Sequence, residues 1–208
     1  MELKGRKVVV LGLGDTGLSM ARWLARHGAD VRVADSRADP PHRARLAREL
    51  PQVPLTAGAF GEETLHGADL VAISPGLDRR EAPIAAAIKR GVPVVGDIEL
   101  FAQAVRTLIP PKVLAVTGSN GKSTVTAMAG EIVRASGRGT VVAGNIGTPV
   151  LDALGAIEDG AAAPEVFVLE LSSFQLESTS SLEPAAAAML NLTEDHLDRY
   201  HGMADYAA

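Results

Sequence analysis

Lys7-Val8-Val9-Val10-Leu11-Gly12-Leu13-Gly14-Asp15-Thr16-Gly17-Leu18 decides the fold class of the first half of this chain. Val8 through Leu11 form an apolar, mostly β-branched run that reads as a short strand buried on both faces. The glycines that follow fit G-x-G-x-x-G, and Leu18, Ala21 and Ala25 then recur at helical spacing. The first two glycines permit a tight turn and the close approach of a phosphate. The third lets helix and strand pack closely, while the N–H groups of the first helical turn face an anion. Asp35 ends the next strand pattern, where such a fold places a ribose-binding acid. From the residues alone the loop fits NAD, a different nucleotide diphosphate, or a glycine turn without a ligand.

Outward from this loop, strand patterns at 7–11, 31–34, 53–56, 69–73 and 92–95 alternate with helical stretches such as 16–27, 81–90 and 98–106. That rhythm builds a parallel sheet covered by helices. Thr107-Leu108-Ile109-Pro110-Pro111 then stops the chain, because the residue before a proline is pushed out of the α region. A boundary there gives domains at 1–108 and 109–208. The second half restarts with strands at 113–117, 140–143, 166–171 and 185–192 and helices at 123–136 and 148–154. The expected class is α/β, a Rossmann-like parallel-sheet domain followed by part of a P-loop-type α/β ATPase domain. Residues 206–208 read as a young helix with no capping signal, so the chain is expected to be cut from a longer one.

Composition narrows the function. A 47% hydrophobic content over 208 residues is enough for a real core and excludes wholesale disorder. The absence of cysteine excludes disulfides, a thiolate metal site and a Cys nucleophile. A net charge of −5 with 3% aromatic residues argues against nucleic acid. No run approaches the roughly 18 apolar residues of a membrane helix. A soluble, cytoplasmic monomer is expected. Trp23, Phe101, Met128 and Phe167 read as core, and His42, Arg43, Arg45 and Arg48 as a solvated helix face.

Thr117-Gly118-Ser119-Asn120-Gly121-Lys122-Ser123-Thr124 is the more informative loop. The full Walker pattern wants a glycine where Val116 stands, so the match is to the shorter G-x-x-G-K-[ST]. Successive N–H groups at a helix start form an anion nest. Lys122 can reach β- and γ-phosphates, and the Ser123 hydroxyl can complete a Mg²⁺ shell. ATP is the expected ligand. Glu170, ending the strand at 166–171, stands at the carboxyl edge, where it can hold Mg²⁺ directly or through water. Asn191-Leu192-Thr193-Glu194-Asp195-His196-Leu197-Asp198 concentrates polar groups after another strand. Thr193, Glu194 and Asp195 also read as a helix start. His196 is suited to ligand or acid–base duty.

Taken together these strings resemble the Mur ligases of peptidoglycan precursor synthesis, closest to their D-glutamate-adding branch. The resemblance also rests on Ser74-Pro75-Gly76, Gly96-Asp97-Ile98-Glu99-Leu100, Gly144-Asn145-Ile146-Gly147 and Glu170-Leu171-Ser172-Ser173-Phe174-Gln175-Leu176-Glu177. It implies a UDP-binding first domain, replacing NAD, with Asp15, Thr16, Ser36, Arg37 and Gly76 at its uridine- and diphosphate-contacting positions. The family usually has Leu at Asp15 and Thr at Ser36, and a carboxylate close to a diphosphate is unfavourable. The resemblance further implies ATP bound at Gly118, Ser119, Asn120, Gly121, Lys122, Ser123 and Thr124. It implies Mg²⁺ at Ser123, Glu170 and His196, and substrate contacts from Asn145, Ser172, Gln175 and His196, with Lys122, His196 and Glu170 carrying catalysis. The implied reaction joins D-glutamate to UDP-N-acetylmuramoyl-L-alanine through an acyl phosphate. Family members carry a further lysine and a C-terminal domain beyond position 208, so the 208 residues alone are expected to be inactive. A UDP-sugar-binding module without catalysis, an NAD-dependent oxidoreductase and a folylpolyglutamate synthase are the rival readings.

Overall fold

The computed structural model describes residues 2–106 and 111–207. The chain divides into two compact units, residues 1–100 and 101–208. The boundary expected after residue 108 falls on 107–110, outside the described residues.

The first unit is a parallel five-stranded sheet. Its strands are β1 (Lys7–Leu11), β2 (Asp30–Asp35), β3 (Leu55–Ala57), β4 (Leu70–Ile73) and β5 (Val94–Val95), in spatial order β3-β2-β1-β4-β5. Helices α1 (Asp15–Arg26), α2 (Arg43–Glu49) and α3 (Ala82–Lys89) lie between the strands, and α4 (Asp97–Val105) follows β5. Val8, Val9, Val10 and Leu11 are wholly buried, as a central parallel strand requires. The chain runs from β1 outward to β3 and then returns to the other side of β1 at β4. That reversal opens a crevice at the carboxyl end of β1, where open α/β sheets take ligands. Helix α1 buries Leu18, Ala21 and Leu24 completely, and burial stabilises each leucine by about 1.5–3 kcal/mol. It ends where His27 Nδ1 pairs with the Trp23 carbonyl at 2.8 Å, the two rings 4.2 Å apart, and Gly28 turns away at φ +77°.

The second unit is a parallel four-stranded sheet of β6 (Lys112–Thr117), β7 (Thr140–Gly144), β8 (Val166–Glu170) and β9 (Ala186–Met189), ordered β7-β8-β6-β9. Its helices are α5 (Lys122–Ala135), α6 (Val150–Glu158) and two short ones, α7 (Ser173–Leu176) and α8 (Met203–Tyr206). Every residue of β8 is buried, and Phe167 meets Phe101 edge to face at 5.0 Å. Strand β9 is exposed along its whole length.

The structure corrects several expectations. Met128 is 58% exposed and outside the core. A helix advances about 100° per residue, so Met128 lies opposite the buried pair Thr126 and Gly130, two positions to either side. Gly130 brings α5 close to the sheet: a Cβ there would strike Val142. The strand expected at 53–56 is β3 at Leu55–Ala57, and the one at 185–192 contracts to β9. No helix starts at Thr193. Among the described residues no helix is long and apolar enough to cross a membrane.

Candidate nucleotide-binding sites

In the first unit, Gly12 takes φ +86° immediately after β1. A Cβ there would meet Ser74 Oγ at 2.8 Å, and the Ser74 hydroxyl donates to the Gly12 carbonyl at 3.2 Å. A Cβ on Gly17 would overlap the Gly12 carbonyl, so α1 rests directly on the turn. Gly14 differs, with nothing within 4 Å of its Cβ position. The glycines at 12 and 17 therefore close the packing, and the one at 14 leaves the loop open on its outer face. The first-turn N–H groups of α1 lack intrahelical partners by geometry and make this opening electropositive.

Asp35 is 1% exposed at the end of β2. Its Oδ2 accepts from the Leu13 N–H and Arg37 Nη2, both at 2.6 Å, and its Oδ1 from the Arg37 N–H at 2.9 Å and Nε at 2.8 Å. The bonds from the Arg37 guanidinium, opposed by burial, bring its pKa down to about 2. This corrects the reading of Asp35 as an open ribose acid: its oxygens are occupied in shaping the glycine loop and aiming Arg37. The Arg37 side chain remains 53% exposed. Ser36 is exposed beside it, Gly76 is exposed after β4, and Thr16 is half-buried in the first turn of α1. Asp15 projects with its side chain 80% exposed and one oxygen 2.9 Å from His42 Nε2. Arg43, Arg45 and Arg48 form the solvated face expected, Arg45 pairing with Glu49 at 2.8 Å, whereas His42, expected on the same face, has a side chain only 21% exposed.

In the second unit, the loop after β6 turns on Gly118 at φ +135° and Gly121 at φ +84°, and α5 begins at Lys122. Lys122 Nζ donates to the loop carbonyls of Gly118 at 2.7 Å and Ser119 at 3.1 Å. Not every loop N–H is aimed at the helix mouth. The Ser119 N–H donates to the Asn191 carbonyl at 3.1 Å, and the Asn120 N–H to Asn191 Oδ1 at 2.8 Å. Asn191 Nδ2 returns a bond to the Asn120 carbonyl at 2.9 Å. The anion nest is thus confined to the turn at Gly121, Lys122, Ser123 and Thr124, with Ser123 and Thr124 exposed.

Glu170 ends β8 on the neighbouring strand and is 2% exposed. Asn145 Nδ2 donates to its Oε1 at 2.7 Å, whereas its buried Oε2 has no partner among the described residues. Gly144, at φ +107°, makes this approach possible, since a Cβ there would strike the Glu170 carbonyl. Facing the loop is a cleft lined by Lys122, Ser172, Asn191, Asp195, His196 and Tyr206, among others. His196 occupies the left-handed region at φ 52°, its ring 4.6 Å from Phe174. Ser172 caps α7, its Oγ accepting the Gln175 N–H at 3.2 Å while Gln175 Oε1 accepts the Ser172 N–H at 3.1 Å. Gln175 is buried, and this capping box uses its side chain.

The structure also supplies residues for which the sequence suggested no role. Arg199 donates to Glu177 Oε2 at 2.8 Å and lies 4.3 Å over the Phe174 ring. The Tyr200 hydroxyl donates to Glu177 Oε1 at 2.6 Å. Burial first, and then Glu177, push the Tyr200 phenol up to about 12. The segments at 174–177 and 196–200 are therefore two halves of one wall, clasped through Glu177. No spacing rule could have paired them, because the contacts are made by residues far apart in sequence.

Residues 6–96 match the model of the Mur ligase MurD-like N-terminal domain, and residues 116–208 that of the Mur ligase middle domain. The chain is 60% identical to UDP-N-acetylmuramoylalanine–D-glutamate ligase of Thiobacillus denitrificans, with 100% of this chain and 46% of that protein covered. The same enzyme of Nitrosospira multiformis is 55% identical, with 100% and 44% covered. The chain thus spans less than half the length of these curated relatives. Among solved structures it resembles the UDP-N-acetylmuramate:L-alanyl-gamma-D-glutamyl-meso-diaminopimelate ligase from Neisseria meningitides, with TM-score 0.57, 21% identity, and 97% of this chain and 65% of that one covered. The UDP-N-acetylmuramate-alanine ligase from Thermotoga maritima gives TM-score 0.53 and 22% identity over 96% of this chain and 45% of that one, which speaks to fold. With both units matched to consecutive domains of one enzyme family, this chain belongs to the Mur ligases.

Proposed function

We propose that the chain supplies the nucleotide-sugar site and the phosphate site of a ligase that joins D-glutamate to UDP-N-acetylmuramoyl-L-alanine at the expense of ATP. The observation that carries this reading is the pairing, at one sheet edge, of a Gly-Lys-Ser loop with a buried carboxylate that has one oxygen unpartnered. The names of the relatives support this choice of substrates. In the reaction proposed, the alanyl carboxylate oxygen attacks the γ-phosphorus and ADP leaves, giving an acyl phosphate. The amine nitrogen of D-glutamate then attacks the acyl carbon, phosphate leaves, and the amine proton is released.

Each step brings anions together, so cationic and hydrogen-bonding groups must offset the charge. Lys122 is held at the loop mouth by two carbonyls that a phosphate would replace as its partners. Arg37, fixed by Asp35, presents a half-exposed guanidinium for a diphosphate. Thr16, Ser36 and Gly76 complete the first site in this reading, with Asp15 contributing backbone. Asn145, Ser172 and His196 contact the substrate near the reacting carboxylate.

The residues present fit Mg²⁺. The buried, unpartnered oxygen of Glu170 and the exposed hydroxyl of Ser123 are hard oxygen donors. His196 is an adjunct in the cleft, and among the described residues no three His, Asp or Glu side chains converge as a metal cage. Magnesium bound by few protein ligands, keeping its waters, supplies charge neutralisation and orientation of the phosphates. The reading places the protein in the cytoplasm as a monomer acting on small molecules.

Thermal unfolding with UDP-N-acetylmuramoyl-L-alanine, UDP, NAD or Mg-ATP, each added separately, tests this. A ligand at 100 times its Kd stabilises the unit that binds it by about 2.7 kcal/mol. Stabilisation by the UDP compounds and by Mg-ATP, and none by NAD, is expected. A response to NAD alone would overturn the reading.

A further inference from the structure

Ser119 is 6% exposed at the crest of the phosphate loop, and its hydroxyl has three neighbours. The Thr193 N–H lies 3.0 Å from Ser119 Oγ, the Thr193 carbonyl 2.9 Å, and the Tyr206 hydroxyl 3.0 Å. A serine hydroxyl has one proton and two lone pairs. The N–H can only donate, which uses one lone pair. The carbonyl can only accept, which uses the single proton. The remaining lone pair faces Tyr206, whose hydroxyl must be the donor. Proton counting thus fixes the direction of a bond between two hydroxyls.

We infer that Tyr206 is a positioning residue of the phosphate loop: its hydroxyl donates to Ser119 Oγ and holds the crest of the loop in the shape that receives the triphosphate. The inference deepens the ATP reading above and rests on it. Two further observations make Tyr206 suited to the role. Its ring is set by Tyr200, 5.2 Å away, which is itself bonded to Glu177. It also lines the same cleft as Lys122 and His196. Because its proton is committed to Ser119, Tyr206 offers a ligand in that cleft lone pairs only. It therefore acts as an acceptor and not as a general acid. The Ser119 and Asn120 N–H groups are fixed by Asn191, and Asn120 Nδ2 donates to Thr193 Oγ1 at 3.1 Å. Tyr206 adds α8 to this lattice as its outermost strut, so the loop's shape depends on a residue far along the chain.

The test is a double-mutant cycle on this chain, read by binding of a fluorescent Mg-ATP analogue and, in parallel, of UDP. Tyr206→Phe is expected to weaken the ATP analogue about fivefold, the loss of one neutral hydrogen bond, and to leave UDP unchanged. Ser119→Ala is expected to weaken it at least as much, and adding Tyr206→Phe to Ser119→Ala to cost nothing more. Equal affinity of Tyr206→Phe and the unsubstituted chain, or additive losses in the double variant, would overturn the inference. Amide hydrogen exchange of residues 118–120 decides the matter by a second route. Faster exchange there in Tyr206→Phe, with exchange in β8 unchanged, supports the strut, and unaltered exchange overturns it. Failure of the unsubstituted chain to bind the analogue would instead sink the ATP reading, with exchange still reporting on the strut.

Discussion

Asn145 donates from Nδ2 to Glu170 Oε1 at 2.7 Å, and this bond separates the two oxygens of a buried carboxylate. One is held in place, and the other is buried without a partner among the described residues. Asn145→Ala removes the hydrogen bond to Oε1 and leaves both oxygens of Glu170 buried without a partner among the described residues. We expect a stability loss of about 1–3 kcal/mol by urea unfolding, and weaker Mg²⁺-dependent ATP binding. Addition of Mg-ATP should restore part of the lost stability, because the cation engages the orphaned oxygens.

Lys122→Ala separates function from folding in the same unit. The side chain is only half-buried, and its partners are the carbonyls of Gly118 and Ser119, four and three residues back along the same loop. The substitution should change stability by less than about 1 kcal/mol, while Mg-ATP ceases to protect the second unit against unfolding. UDP should protect the first unit as before.

Acid should weaken the first unit through Asp35. Its folded pKa of about 2 lies below the ordinary 3.8, so the stabilisation is fully present above pH 4 and is lost as pH falls through 2. Its size is on the order of 2 kcal/mol, since the carboxylate is buried. Chemical denaturation of Asp35→Asn should show that contribution missing at pH 7, and a flatter decline between pH 4 and pH 2.

Gly14 and Gly17 lie in one motif and should respond oppositely to alanine. At Gly17 the new methyl would overlap the Gly12 carbonyl, which cannot move without shifting β1 from α1. A loss of about 2 kcal/mol or more is expected in thermal unfolding. At Gly14 the methyl enters open space, so folding survives. Calorimetric titration should nevertheless find UDP weakened, because the methyl occupies the path of an approaching phosphate.

Much of this was legible in the sequence. The β-branched run at 8–11, the two glycine loops and the helical spacing after each are local signals, and they located β1, α1, β6 and α5. Asp35 and Glu170 were found as strand-end acids, since strand ends can be read from hydrophobic runs. What each carboxylate does could not be read. The closure of Asp35 by Arg37 depends on a guanidinium folding back on its neighbour, and the half-satisfied state of Glu170 depends on Asn145 arriving from another strand end. Met128 was misjudged because hydrophobicity does not say which face of α5 meets the sheet. The small residues Thr126 and Gly130 do, through the close approach they allow. The hydroxyl cluster at Ser119 was invisible for a similar reason: Tyr206 and Thr193 reach it through three-dimensional folding alone.

The chain's single tryptophan is Trp23, its ring tilted against that of His27 at the end of α1 and 6% exposed, and both its tyrosines, Tyr200 and Tyr206, lie in the second unit. Each unit therefore carries its own chromophore. Tryptophan emission reports the melting of the first unit alone, and tyrosine absorbance that of the second. The order in which the two come apart, and which ligand delays which, can be recorded in one cuvette without attaching a label.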